Sequence, residues 1–239
     1  MNFVMYKGPS MLDNQPIVAL AVVNSTNRKT GNMINVHIMR EDMNPLAAKD
    51  TGSDSSVCGN CPLRQNVGGA CYVNIGQGPH SAYKAYKRGK YAELTQDQIL
   101  SKVMGNKVRL GAYGDPAALP YDVIAPIVEV ADMVTSYTHQ SGHPNFDKRI
   151  LEYSMVSTET VNNTKRHHEN GNRTFRVIPF NGEPLPNEIE CKSDSDGITC
   201  AQCGLCNGGS KGPSVYITAH GTRAKKHSEK YGTIDVVSI

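Results

Sequence analysis

Four cysteines fall within sixteen residues late in this chain: Cys191, then Cys200, Cys203 and Cys206, spaced C-x8-C-x2-C-x2-C. Gaps of two residues let successive sulfurs face one centre, and Gly204 lets the backbone curl without a Cβ clash. The flanks, Cys191-Lys-Ser-Asp-Ser-Asp-Gly and Asn207-Gly-Gly-Ser-Lys-Gly-Pro, are too rich in turn formers to owe their order to apolar packing. A bound inorganic centre is expected to supply that order. An isolated thiol is usually a small buried hydrophobe; C-x2-C-x2-C in a glycine-rich loop rarely is.

A second set precedes it. Cys58, Cys61 and Cys71, spaced C-x2-C-x9-C, supply three thiolates, one short of closing a tetrahedral zinc or a four-iron cluster. Pro62 stiffens the turn, and Gly68 and Gly69 let the chain return. The trio could hold its own centre, with the fourth position open or filled by a residue such as His80, or could share one with Cys191. Structural zinc normally uses two separated C-x2-C pairs, whereas the serial spacing of the late run is closer to ferredoxins. The expected cofactor is an iron–sulfur cluster of the 4Fe-4S type, one or two per chain, with zinc as the alternative.

Seven cysteines cannot all pair as disulfides. The opening Met1-Asn-Phe-Val-Met-Tyr-Lys-Gly-Pro lacks the charged-then-apolar order of a secretory signal, and no apolar run approaches the ~20 residues that span a bilayer. A cytoplasmic location, no membrane association and metal ligation by free thiols are the expectations. Hydrophobic content is 38%, without tryptophan, a lean core to which a metal would add stability. A formal charge of +3 is too small to indicate a nucleic-acid partner. Lys29-Thr30-Gly31 echoes a phosphate loop but lacks its upstream glycine, and His167-His168 reads as a solvated helix face.

Residues 17–23 read as a buried strand and 34–39 as an alternating one, an antiparallel entrance to the fold. A helix is expected from about His80. From about residue 95 strand and helix alternate: helix Gln96–Val103 capped by Thr95, strand Lys107–Tyr113, helix Leu119–Val130, strand Met133–Tyr137, strand Leu151–Val156, a helix to Asn170, strand Thr174–Ile178, strand Ser214–Ala219 and a helix near Thr222–Lys230. Such alternation implies parallel pairing with right-handed crossovers. The expectation is one α/β domain over residues 1–239, with the entrance and three-cysteine loop in 1–90 and the strand–helix units in 91–239. Its architecture is expected to be (β/α) barrel-like, complete or incomplete, with an open doubly wound sheet as the rival.

In parallel α/β folds the chemistry sits at the carboxyl ends of the strands. Asp115, Tyr137 and His139 end strands here and are the candidates for substrate contact or proton transfer, although Asp115, standing before Pro116, could equally cap a helix. Both cysteine loops are expected on that same rim.

Several stretches also resemble a group of phage and bacterial Cys-motif proteins and, more distantly, the phage gene-product-88-like group. They are Cys58-Gly-Asn-Cys-Pro-Leu-Arg64, Cys71-Tyr-Val-Asn-Ile-Gly-Gln77, Arg109-Leu-Gly-Ala-Tyr-Gly-Asp115, Tyr137-Thr-His-Gln140 and Thr199-Cys-Ala-Gln-Cys-Gly-Leu-Cys206. The resemblance implies a phage or bacterial cytoplasmic protein and brings no reaction with it. A looser similarity is to radical S-adenosylmethionine enzymes, whose usual C-x3-C-x2-C motif differs from the trio here. The functional expectation is therefore an iron–sulfur protein with redox or radical chemistry on a small-molecule substrate. The alternatives are an electron carrier with a protein partner and a zinc-stabilised interaction module without catalysis.

Overall fold

The protein is seen in a computed structural model that describes residues 1–209 and 211–236, the last four of them by backbone alone. Phe3–Pro9 (β1), Pro16–Val22 (β2) and Ile34–Arg40 (β3) form an antiparallel meander. The β1–β2 turn closes through the Ser10 N–H on the Gln15 carbonyl (2.8 Å), with Asn14 in the left-handed region. Residues Ile17 to Ala21 of β2 are fully buried, which explains an unbroken apolar run where a half-exposed strand would alternate. Each fully buried Ile, Val or Leu there contributes about 1.5–3 kcal/mol relative to an exposed one.

The remaining pairings are parallel. Ala92–Glu93 (β4) lies beside β1, Lys107–Tyr113 (β5) beside β3, and Met133–Thr135 (β6) beside β5, giving a six-stranded sheet in the order β4-β1-β2-β3-β5-β6. A second, wholly parallel sheet contains Tyr137–Thr138 (β7), Met155–Thr158 (β8), Thr174–Ile178 (β9), Glu188–Glu190 (β10) and Ser214–Thr218 (β11), in the order β10-β11-β9-β8-β7.

Only Ser136 separates β6 from β7, so one short segment edges both sheets. Its N–H donates to the Cys206 carbonyl and its carbonyl accepts from the Met155 N–H, both at 3.0 Å. Its hydroxyl lies 2.6 Å from that of Ser154.

Helices follow their local signals. Thr95 and Gln98 form a reciprocal capping box at Gln96–Val103. Asn44 caps Pro45–Thr51, which Gly52 ends in the left-handed conformation. Tyr121–Val130 is entered through Pro120, Val161–Glu169 is capped by Thr160, and Ala224–Val236 is the last helix.

Two expectations change in detail. The strand placed at Leu151–Val156 starts only at Met155, because Asp147 caps a 3₁₀ turn over Lys148–Glu152. β1 and the Pro45–Thr51 helix add to the elements expected. The α/β class stands, as two parallel-rich sheets with helices; among the described residues no pairing joins β4 to β10, so a closed barrel is not shown. The larger core lies on the six-stranded sheet, while the second sheet has a small one of Met155, Cys206 and Val215, with Cys191 and Leu205 packed against it.

Candidate functional site

The three-cysteine loop folds through its own short-range bonds. Cys58 N–H donates to the Asp54 carbonyl (2.9 Å), Cys61 N–H to the Cys58 carbonyl (3.0 Å) and Cys71 N–H to the Leu63 carbonyl (2.8 Å). Arg64 clamps the loop: Nε to Asp54 Oδ1 at 2.9 Å, Nη1 to the Gly59 carbonyl at 3.1 Å, Nη2 to the Gly52 carbonyl at 2.6 Å. The loop docks on the carboxyl ends of β5 and β7. The Asp115 N–H meets the Val57 carbonyl (2.6 Å), and the Gln140 amide bonds both the Cys58 carbonyl (2.8 Å) and the Asn60 N–H (3.0 Å). Gly59, with φ of 49°, is required there, since a Cβ would collide with Gln140.

Cys58, Cys61 and Cys71 line one recess of about 130 Å³ together with Asp115, His139 and Glu159. The His139 ring bonds Cys61 on one side, and its Nε2 lies 2.6 Å from Glu159 Oε1 on the other. Burial opposes its protonation, but Cys61 and Glu159 outweigh that and hold its pKa well above the ordinary value. Burial pushes the Cys58 thiol well up, and Cys61 and the Asp54 carboxylate push the same way. Both oxygens of Asp115 are engaged: Oδ1 accepts from the Ala117 N–H at 3.0 Å and Oδ2 from the His139 N–H at 2.8 Å. Of the two roles open to Asp115, the capping one is what the bonds describe, extended to fixing the His139 backbone.

The four-cysteine loop does not share that rim. Its contacts are Lys107 Nζ to the Ala201 carbonyl (2.7 Å), Arg173 Nη2 to the Leu205 carbonyl (2.7 Å), and Gly204 and Gly208 packed on Met133 and on Tyr153–Ser154. Lys107 and Met133 begin β5 and β6, and Ser154 and Arg173 immediately precede β8 and β9. The part of the loop from Cys200 to Gly208 therefore covers amino ends of strands, whereas Cys191 follows β10, and the expectation of one common rim is corrected for Cys200, Cys203 and Cys206. The physical reason is the tie to the β2–β3 loop, where the Cys200 N–H bonds the Lys29 carbonyl (2.8 Å) and the Ala201 N–H the Thr30 carbonyl (3.2 Å).

Two of the four sulfurs, those of Cys200 and Cys206, have cationic neighbours, one of which, Lys29, also lies 3.9 Å from Asp194 Oδ1. Burial raises the Cys200 thiol, Arg109 and Lys29 oppose that, and Cys191 and Cys203 add to it. Burial drives the Cys206 thiol up to about 12 against a hydrogen bond from Tyr137 and the charge of Arg109. Arg173 also holds Asn207 Oδ1 and the Gly208 carbonyl, each at 2.8 Å. Tyr137 bonds at this end, although its side also borders the recess of His139: its phenol is engaged with Cys206, Arg109 lies 4.2 Å above its ring, and Phe175 packs 4.6 Å away.

Between the two ends lies a cavity of about 560 Å³, lined by Cys191 and Cys200 and by Arg109 and Tyr137, which also border the smaller recess. His220 lines it and packs on Tyr72. His80 does not line the three-cysteine recess, whereas His139 does. His168 is occupied with Thr174, Ser214 and Asn187, a structural role between β9 and β11 that the solvated-face reading did not include.

Two residues escaped the sequence reading. Glu159 follows strand β8 as the only acid in Ser157-Thr-Glu-Thr160, and Arg109 is a buried charge inside a strand whose other charge, Lys107, stands at its start. All seven cysteines are free thiols. As the side chains stand, no group of three or more His, Cys, Asp or Glu among the described residues is arranged to hold a metal ion. No helix of the described residues is long and apolar enough to cross a membrane. No family model matches the chain, and no curated protein or solved structure matches it either.

Proposed function

We propose that the chain is an iron–sulfur protein with redox chemistry beside the central cavity, its cluster held by Cys191, Cys200, Cys203 and Cys206. The observation that carries this reading is the quartet's setting: four free thiols of one loop, with Arg109 and Lys29 acting on Cys200 and Arg109 and a Tyr137 hydrogen bond acting on Cys206. Thiolates are the ligating form, and neighbouring cations and hydrogen bonds favour them. A four-thiolate 4Fe-4S centre is net anionic, so buried positive charge stabilises it, and hydrogen bonds to sulfur tune its potential. Side-chain rotation of the thiols onto the centre is part of the proposal.

The trio has acidic neighbours and suits a divalent cation better. Cys58, Cys61 and Cys71 with His139 make a Cys3His donor set, and Glu159 behind the imidazole is the carboxylate that such ligands commonly use for orientation. That centre would be zinc, with a second cluster as the other outcome. The two sheets, joined through Ser136 and both lining the cavity, are read as an incomplete (β/α) barrel within one domain. The cavity favours a substrate-binding redox protein over a carrier that meets only another protein.

Anaerobic purification with iron, acid-labile sulfide and zinc counted per chain tests the reading. Near four iron and four sulfide, plus one zinc, is expected. Cys200→Ser with Cys203→Ser should abolish iron and spare zinc. A colourless protein with zinc in both sets would establish the interaction-module alternative.

A further inference from the structure

We propose that the central cavity binds a small molecule carrying an oxyanion, a carboxylate or a phosphate, on a flat apolar body, with Arg109 receiving the charge. The cavity's volume of about 560 Å³ lies in the range of small-ligand sites, ~300–1,000 Å³. No aspartate or glutamate among the described residues lines it, whereas Lys29, Arg109 and Arg223 do. An electrostatic wall of one sign selects the opposite charge.

Arg109 is the decisive residue. It is 7% exposed, and its Nε has no hydrogen-bond partner. The ionisable groups that act on it are Tyr137, Tyr72, Cys200 and Cys206, with no carboxylate among them. A buried guanidinium is normally paired, and its planar fork matches a carboxylate or phosphate edge. Asn35 stands opposite Arg109 in the β3–β5 register, and His37 follows two residues on along β3. Both are buried in the cavity wall, and Asn35 Oδ1 and His37 Nδ1 also lack partners. Three unanswered polar atoms thus occur at neighbouring positions of two adjacent strands. The Asn27–Thr30 loop adds polar groups from above, Thr30 accepting from the Asn35 amide at 3.1 Å. The lining also has an apolar and aromatic part, Tyr72, Phe175, Val177 and Ile217. A phosphate-loop echo at Lys29-Thr30 therefore faces the cavity even though it is not a P-loop.

This inference rests on the reading above only in setting the ligand beside the quartet, so metal content and binding are measured on the same sample. Anaerobically purified protein is titrated by calorimetry with benzoate, phenyl phosphate and neutral benzyl alcohol. Both anions should bind at least about tenfold more tightly than the alcohol, the margin expected of charge-assisted fork contacts, with inorganic phosphate competing. Arg109→Gln should lower anion affinity at least about tenfold and leave the alcohol unaffected. Arg223→Gln, on a half-buried residue, should lower it about twofold to fivefold and serves if the first variant does not fold.

Equal affinity for anions and alcohol, or no binding at all, overturns the proposal; in a sample containing iron, that result leaves the cluster reading standing. Anion binding by a sample devoid of iron supports the site and counts against the cluster. Binding that disappears when metal is loaded also overturns it, because Arg109 would then answer to the sulfurs alone.

Discussion

The trio and the Cys200–Cys206 segment lie at opposite ends of the parallel strands and in opposite electrostatic company, while Cys191 follows β10. Around Cys58, Cys61 and Cys71 stand Asp54, Asp115 and Glu159; around Cys200 and Cys206 stand Arg109, Lys29 and, gripping the loop backbone, Arg173. Each loop is clamped by one arginine, but the clamps differ in kind. Arg64 neutralises a buried carboxylate, Asp54, whereas Arg173 meets only carbonyl and amide oxygens and so adds net positive charge. The same residue type therefore leaves no net charge in one loop and a net positive charge in the other.

The sharpest way to break the comparison is to remove both clamps. Arg64→Gln strands a carboxylate whose side chain is 5% exposed and should cost about 3–5 kcal/mol by chemical denaturation. Arg173→Gln leaves unpaired oxygens but no bare charge and should cost less, about 1–3 kcal/mol. A larger loss at Arg173 would reverse the assignment of the two clamps. Glu159→Gln keeps the shape and removes the charge behind His139. Metal affinity at the trio should fall about 10–100-fold while iron at the quartet is unchanged, as read by competition with a chelator.

The cavity between the ends supplies a pH test. Burial lowers the His37 pKa from 6.5 to about 4, so below 6.5 protons bind the unfolded chain preferentially. Stability is intact above pH 6.5 and falls as pH drops towards 4; between pH 7 and 5 the loss from this residue is about 2 kcal/mol. His37→Asn should flatten that part of the profile, and an unchanged slope would show that another group carries it. The smallest effect belongs to Asp115→Asn. It keeps one acceptor, for the Ala117 N–H, but turns an amide N–H towards the His139 N–H, and should cost about 1–2 kcal/mol in denaturation. A large loss of turnover without that modest stability change would return Asp115 to the proton-transfer role first considered for it.

Local chemistry was the legible part of the sequence. Thr95 and Pro120 marked the starts of their helices because capping and fixed φ act within a few residues, and the apolar run in Lys107–Tyr113 marked its strand. β1 was harder, since its Phe3-Val-Met-Tyr-Lys-Gly-Pro9 alternates poorly and depends on β2 to be covered. The cysteines announced two sets. Their placement at opposite ends was not readable, because it follows from the tie of Cys200 to Lys29, a contact between residues 171 positions apart whose backbone bonds leave no side-chain signature. His139 and Glu159 illustrate the same point: each is an ordinary polar residue ending a strand until β7 and β8 pair and bring them together.

Sequence separation within the two sets has a consequence for how the chain is made. Cys191 to Cys206 leave the ribosome together, after Arg109, Tyr137 and Arg173 have already been synthesised, so a late segment meets a prepared receptor. The trio emerges early and must wait 68 further residues for His139, and 20 more for Glu159, before its partners exist. Until then its thiols are open to other metals and oxidants, and only the closure of the parallel strands ends that exposure. Completion of the early site therefore reports that β7 and β8 have paired.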